Sequence, residues 1–524
     1  TWAVVIVGAF AAAALVAWAA ALRTIFGPRR RAALGLAVLA FSPVYLPPGV
    51  WWAAAIQIFP LQLSAGLITL YAGRYLLHGG SRADLVRLTG SLALGMIFWQ
   101  KAALLIPIIA GLGIMLGPSA WRVRLATTAR LLAGPLLLML AYLPAYIALT
   151  RGPDAAATSL FQARSWGQVL SFGRVALLDV ALPALFGGPW TWLGSPDTRP
   201  RSLPLDLAIM LVVVLGLGLA LLVRRRGWAA VALAGGYAAA SWGLLLTSSR
   251  YDVLRDLIAR DVRYAADIHP IAVLAVVFML TPTVAEHRGG WRRERTHAAA
   301  LRVSRRVVRT LRVIGPSALV FSLALGLAFT WRDLAPTSPK SWVHAASDSL
   351  RAAAGRAVVD SMAPNEVASP LLGSNARLSR MFLPMRLPVA FNSPSTQLVA
   401  LDAAGGLGPV VVETAAQSAP GPTPDCGWLL EPGQSQAIAI TPPLYEWEWV
   451  VAVDYYSQLG ALATVTAGAE QRQASLPAGL ARLQLVVTTS IDRIVVSSTP
   501  ASGPVCITQV SVGQARPRPS AGPS

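Results

Sequence analysis

The run "LTGSLALGMIFWQKAALLIPIIAGLGIML", residues 88–116, decides how this chain is read. As one helix its 29 residues would reach about 43 Å, against a hydrocarbon core of about 30 Å. As two short helices turning at Gln100 and Lys101 it is a hairpin. The composition asks for a membrane in either case. Hydrophobic residues make up 55% of the chain and charged residues 13%, and apolar runs near the ~20 residues needed to cross a bilayer recur along it.

Charge distribution decides between the two. The net charge is +20, yet 32 basic and 11 acidic residues precede Trp331 while 12 and 13 follow. Further spans are expected at residues 2–22, 33–46, 51–72, 131–148, 205–223, 228–247, 268–284 and 313–330. With the end of the first span in the cytoplasm, a hairpin puts 22 basic residues inside and 10 outside, whereas a single helix gives 16 and 15. The positive-inside rule selects the hairpin. The expectation is a polytopic α-helical membrane protein with about ten transmembrane helices and both termini outside. The basic block from Arg288 to Arg312 lies against the membrane with few aromatics, so anionic lipid, not nucleic acid, is its expected partner.

Lys101, one of two lysines in the chain, then falls at the outer turn of the hairpin. Two readings stand: a lysine snorkelling to the interface, or a cation for an anionic lipid head group. A second outer piece, "SSRYDVLRDLIARDVRYAADIHP" at residues 248–270, is charged and runs straight into a span. Helical spacing pairs Arg260 with Tyr264 and Arg263 with Asp267. An arginine fork suits phosphate, and Asp267 would hold it in place; the plainer reading is capping ion pairs beside an interfacial tyrosine. A third piece, residues 150–204, repeats Trp166, Leu170, Gly173, Leu177 and Val180 at helical spacing, as an interface-lying amphipathic helix or an ordinary loop helix would.

The remainder divides into an extracytoplasmic α/β connecting region at 331–406, short alternating strands at 407–514 that predict an antiparallel β-sandwich, and a disordered tail at 515–524. Cys426 and Cys506, the only cysteines, flank the sandwich on the oxidising side and are expected to form a disulfide. In "EWEW", residues 446–449, alternation puts Trp447 and Trp449 on one face, as core residues or as a sugar-stacking platform. No Walker loop, dinucleotide fingerprint, nucleophile elbow or metal-ligand cluster stands in a convincing context. His269 opens a span next to Pro270 and reads as structural.

Several of these features together resemble a family. They are the many spans with short hairpins, "WW" at Trp51–Trp52, "LGMIFWQKAALLI", "GGPWTW", the Arg263-Tyr264-Ala-Ala-Asp267 element and the C-terminal sandwich. The layout is similar to actinobacterial membrane glycosyltransferases of the GT-C superfamily, of the arabinosyltransferase and mannosyltransferase kind. The resemblance implies transfer of a sugar from a polyprenyl-phosphate donor to a cell-envelope glycan or protein, outside the cytoplasmic membrane. It implies that Lys101, Arg260, Arg263, Tyr264 and Asp267 meet the donor phosphate, that the sandwich is a carbohydrate-binding module, and that a divalent metal has a place in some members. The family carries its catalytic acids in a loop after the first span. Here the corresponding loop, "SPVYLPPGV", has none, so the expectation is a fragment whose opening spans lie upstream, and no catalytic base is assigned. The rival expectation is a non-catalytic membrane protein that binds or moves envelope polysaccharide.

Overall fold

A computed structural model describes residues 2–150, 164–188, 226–288, 305–334, 338–368 and 370–518, with the single positions 211, 215 and 218. The chain divides into two compact units, Thr1–Ala335 and Pro336–Ser524. The boundary falls a few residues beyond the expected 330 because the last helix of the first unit runs on to Leu334.

The first unit is helical. Its principal helices are α1 (Trp2–Phe26), α2 (Arg30–Phe41), α3 (Leu46–Val50), α4 (Trp52–Leu77), α5 (Arg82–Phe98), α6 (Leu105–Leu116), α7 (Trp121–Thr150), α8 (Trp166–Val175), α9 (Gly227–Leu246), α10 (Ser249–Leu254), α11 (Asp256–Arg260), α12 (His269–Leu280) and α13 (Arg305–Leu334). Six stretches among the described residues are long and apolar enough to cross a membrane: Trp2–Phe26, Arg30–Val50, Trp52–Leu77, Trp121–Ala148, Gly227–Leu246 and His269–His287. That is fewer than the ten expected. Gln100–Leu116 and Pro316–Arg332 are apolar but shorter, and α5 spends its first two turns on Arg82, Asp84 and Arg87. The expected span 205–223 lies outside the described residues apart from its three single positions.

The course of residues 88–116 follows from what α7 touches. A Cβ built on Gly134 of α7 would strike Thr89 of α5, and one on Gly113 of α6 would strike Thr128 of α7. Residues 128 and 134 are about 9 Å apart along a helix, whereas residues 89 and 113 would be about 36 Å apart on one rod. The two arms therefore lie side by side. The turn is made by Trp99, extended at φ −158° and ψ 120°, followed by a 3₁₀ segment over Gln100–Leu104. At the start of α5, Ser81 and Asp84 form a reciprocal capping box that satisfies two otherwise orphaned backbone donors. Close approach of α1 and α4 depends on small residues. A Cβ at Gly66 would come within 3.0 Å of Ala17, and one at Gly73 within 3.0 Å of Ile25.

Helix α8 is amphipathic in the way its spacing predicts, and a Ser165–Gln168 capping box starts it. Phe172 and Val175 pack with Tyr251, Ile258, Ala259 and Tyr264. Trp166 and Leu170 face outward and are exposed.

The second unit opens with α14 (Ser338–Ala352), followed by β1 (Ala357–Val358), β2 (Ala390–Phe391), β3 (Val399–Leu401), β4 (Leu407–Ser418), β5 (Trp428–Leu430), β6 (Ser435–Ser457), β7 (Ala461–Ala467), β8 (Glu470–Leu476), β9 (Gly479–Ser498) and β10 (Val505–Pro517). The strands form one curled sheet ordered β2-β1-β3-β4-β10-β6-β9-β7-β8, with β5 also on β10 and β4 also on β6. The sandwich expected from the alternation is thus a sheet folded over on itself. β6 and β9, 23 and 20 residues long, run through both layers, and irregular pairing from Ala439 to Trp447 allows the bend. Inside the curl Val451, Val453, Tyr455, Leu485, Val487 and Val512 form the core. On the outer side Val450 and Val486 are covered by Ala357, Val359, Leu398 and Val410, which is why "WVVAV" is apolar at every position rather than alternating. The expected tail begins too early at 515: Ala515, Arg516 and Pro517 pair with Val412, Val411 and Val410 of β4. Residues 519–524 lie outside the described residues. Cys426 and Cys506 form the expected disulfide, which fastens the loop before β5 to β10.

Candidate anion site at the start of helix α12

The segment from Asp256 to His269 is not the single helix that the spacing suggests. α11 ends at Arg260, Asp261 is extended at φ −70° and ψ 108°, and Val262–Tyr264 form a 3₁₀ turn. The cause is local: Asp261 Oδ1 accepts from the Arg263 backbone N–H at 3.1 Å, and an aspartate capping its own downstream turn competes with helix continuation. Because the helix breaks here, neither Arg260 with Tyr264 nor Arg263 with Asp267 forms the expected pair.

Asp267 is instead the counter-ion of Lys101. The ammonium lies 2.7 Å from Asp267 Oδ2, with both side chains almost fully buried. The same oxygen accepts from the Tyr237 hydroxyl at 3.1 Å and the Ser241 hydroxyl at 3.2 Å, both from α9, one turn apart. Lys101 also lies 4.9 Å from the Trp99 ring centroid. A buried carboxylate with an ammonium and two hydroxyls on one oxygen is compensated, whereas Oδ1 makes no hydrogen bond. Two neighbours are tied across the bundle as well. The Gln62 amide of α4 donates to the Ala266 carbonyl at 3.2 Å. His269 lies 3.0 Å from the Tyr45 hydroxyl through Nδ1 and 3.1 Å from the Ala184 carbonyl through Nε2, the structural role that its sequence context suggests.

Arg263 is held differently. Its guanidinium carbon lies 4.4 Å from the centroid of Trp51, at the start of α4, and 4.8 Å from that of Tyr264. Its Nε is 2.6 Å from Asp261 Oδ2 but makes no hydrogen bond, so the contact is Coulombic rather than directional. Burial pushes the Asp261 carboxyl above the usual carboxylate range, with the Arg263 charge and its backbone N–H acting against that rise. Among the described residues no acceptor meets the Nη edge of this guanidinium. Two rings and one carboxylate thus fix the plane of a cation whose bidentate edge is open, which is the arrangement that binds phosphate oxygens. Arg260, half-buried, keeps its Nε without a hydrogen-bond partner too.

Of the residues singled out in the sequence, Lys101 and Asp267 meet each other, and Arg263 meets Asp261, Trp51 and Tyr264 in place of the expected partner; Asp261, Tyr237 and Ser241 were not singled out. Trp51 carried a signal, the doubled tryptophan opening a span, without a link to Arg263. No three His, Cys, Asp or Glu side chains converge among the described residues.

In the second unit Trp447, Glu448 and Trp449 pair in regular succession with Thr489, Thr488 and Val487 of β9, so Trp447 and Trp449 lie on one face as the alternation predicts, but they differ in burial. Trp449 is 3% exposed, with its indole N–H donating to the Tyr445 carbonyl at 3.0 Å, while Trp447 is 52% exposed. The slip in pairing with β9 falls between Leu444 and Trp447, ahead of both tryptophans; Trp449 joins Val451 and Val453 in the core, while Trp447, next to the irregular pairing, is left uncovered. The exposed partner of Trp447 is Tyr445, at a ring separation of 6.3 Å.

No family model matches this chain, and no curated protein matches it. Among solved structures it is similar to the arabinofuranosyltransferase AftD from Mycobacteria, at 12% identity and a TM-score of 0.33, over 99% of this chain and 52% of that one. A mutant form of AftD gives 13% identity and a TM-score of 0.29, over 99% and 56%. A β-glucosidase, DesR from Streptomyces venezuelae, gives 16% and 0.13, over 40% and 30%. The chain spans about half the length of the AftD structures it matches.

Proposed function

We propose that this chain belongs to a membrane glycosyltransferase that takes a sugar from a polyprenyl-phosphate donor and passes it to a cell-envelope glycan or protein on the extracytoplasmic side. The observation that carries the reading is Arg263: a guanidinium against the rings of Trp51 and Tyr264 and beside Asp261, with no acceptor on its fork among the described residues. Arg263 holds the donor phosphate, Arg260 adds a second cation, and the fixed positive charge stabilises the phosphate as leaving group. Lys101 and Asp267 act as a compensated pair that positions the Arg263 segment. The acceptor glycan meets the curled sheet at Trp447 with Tyr445, in place of the expected Trp447 and Trp449.

The test is transfer from a radiolabelled polyprenyl-phosphate sugar in membranes expressing the full reading frame. Arg263→Ala removes a charge-assisted contact of about 1.5–3 kcal/mol, roughly a 10- to 150-fold loss in donor use. Arg263→Lys recovers little, since a point charge does not replace a fork. Wild-type transfer by a folded Arg263→Ala protein would remove the reading.

A further inference from the structure

The second unit carries a surface lobe that the proposed function does not use. A 3₁₀ turn (Pro370–Ala376), a one-turn helix (Leu378–Met381) and a second 3₁₀ turn (Leu383–Met385) follow one another. Ala376, Leu378 and Phe382 anchor the lobe by packing into a core shared with Trp342, Val358 and Val399. Its outer side is apolar: Leu383 is 64% exposed, Leu372 48%, Met385 40% and the adjoining Met362 43%. Arg380 and Arg386 are exposed beside them.

The charge of this lobe is opposite to that of its surroundings. Between Val367 and Leu401 there are three arginines, Arg377, Arg380 and Arg386, and no acidic residue, while the rest of residues 336–524 holds eight basic and twelve acidic residues. Arg377 is paired with Glu448 at 2.7 Å, which leaves Arg380 and Arg386 beside the apolar tip. An apolar tip flanked by two exposed arginines matches a membrane surface, where the apolar groups enter the headgroup boundary and the cations meet anionic lipid. The chain supplies the second argument. The lobe packs on the part of this unit that the chain reaches first, since Phe382 lies 6.4 Å from Trp342 of α14 between ring centroids. Trp342 follows the last residue of α13 by only eight positions, so the lobe belongs to the part of this unit that is tethered most closely in sequence to the apolar helices.

We propose that the 370–386 lobe docks on the bilayer surface, with Leu383 and Met385 in the headgroup boundary and Arg380 and Arg386 on anionic headgroups. This does not depend on the glycosyltransferase reading. The two native cysteines are bonded to each other, so Leu383→Cys provides a single free thiol for an environment-sensitive fluorophore on the whole chain in nanodiscs. The control carries the label through Leu480→Cys, at a 79% exposed position on β9. In discs containing phosphatidylglycerol the label at residue 383 is expected to shift to the blue and be quenched by spin-labelled lipid, and the control to do neither. Adding Arg380→Glu and Arg386→Glu is expected to reverse both effects. Emission at residue 383 equal to the control overturns the proposal. So does a blue shift that is independent of lipid charge, or one that grows with protein concentration and so marks a second copy.

Discussion

Asp267 and Arg263 lie four residues apart and are held in opposite ways. Asp267 is buried, and its Oδ2 is held by side chains from other helices: Lys101 from the α5–α6 turn, Tyr237 and Ser241 from α9. Arg263 is partly exposed, takes its carboxylate from Asp261 two residues back, and owes its remaining hold to two aromatic faces. In the first case every charge is spent on holding the bundle together. In the second the charge is oriented but not consumed. Under the proposed function, this difference is what separates a positioning pair from a binding group, although both contain an acid and a base in the same short stretch.

The largest expected effect breaks the Asp267 side. Lys101→Met or Asp267→Asn alone leaves one buried group without its partner and is expected to cost about 3–5 kcal/mol, while the double variant restores most of that stability. Thermal unfolding of the four proteins in one detergent measures it. Additive losses would show that the pair is not a coupled lock.

A smaller effect sharpens the Arg263 side. Trp51→Ala removes one of two cation–π faces, worth about 0.5–2 kcal/mol, and is expected to weaken binding of a lipid phosphate by about 2- to 30-fold at unchanged melting temperature. Trp51→Phe is expected to keep most of the affinity. Loss of stability in Trp51→Ala with unchanged binding would assign Trp51 to packing.

What could be read from the sequence follows the same division between local and remote. The hairpin at Gln100 and Lys101 was legible because hydropathy and loop charge are summed over many residues, and the disulfide because two cysteines allow one pairing. The acid opposite Lys101 was not legible. It lies 166 positions along the chain, and the local i,i+4 pattern offered Arg263 in its place. That pattern failed because Asp261 caps its own turn and ends the helix. At "EWEW" the alternation held, since Trp447, Glu448 and Trp449 pair in regular succession with β9, but the pattern could not say how far the core reaches along that face, and it covers Trp449 while leaving Trp447 exposed. The signals that remained, a doubled tryptophan and an arginine before a tyrosine, marked residues that lie together in the fold without saying which touched which.

The central claim is that Arg263 presents an open, pre-oriented fork to a lipid phosphate. The most direct measurement is equilibrium binding of undecaprenyl phosphate and of undecaprenol to the whole chain in neutral nanodiscs, for the wild type and for Arg263→Ala. The account predicts that the wild type binds the phosphate and discriminates against the alcohol. It also predicts that Arg263→Ala loses about 10- to 150-fold in phosphate affinity, the equivalent of one charge-assisted contact, while keeping its melting temperature. Equal affinity of the wild type for phosphate and alcohol, or unchanged phosphate affinity in Arg263→Ala, would contradict it.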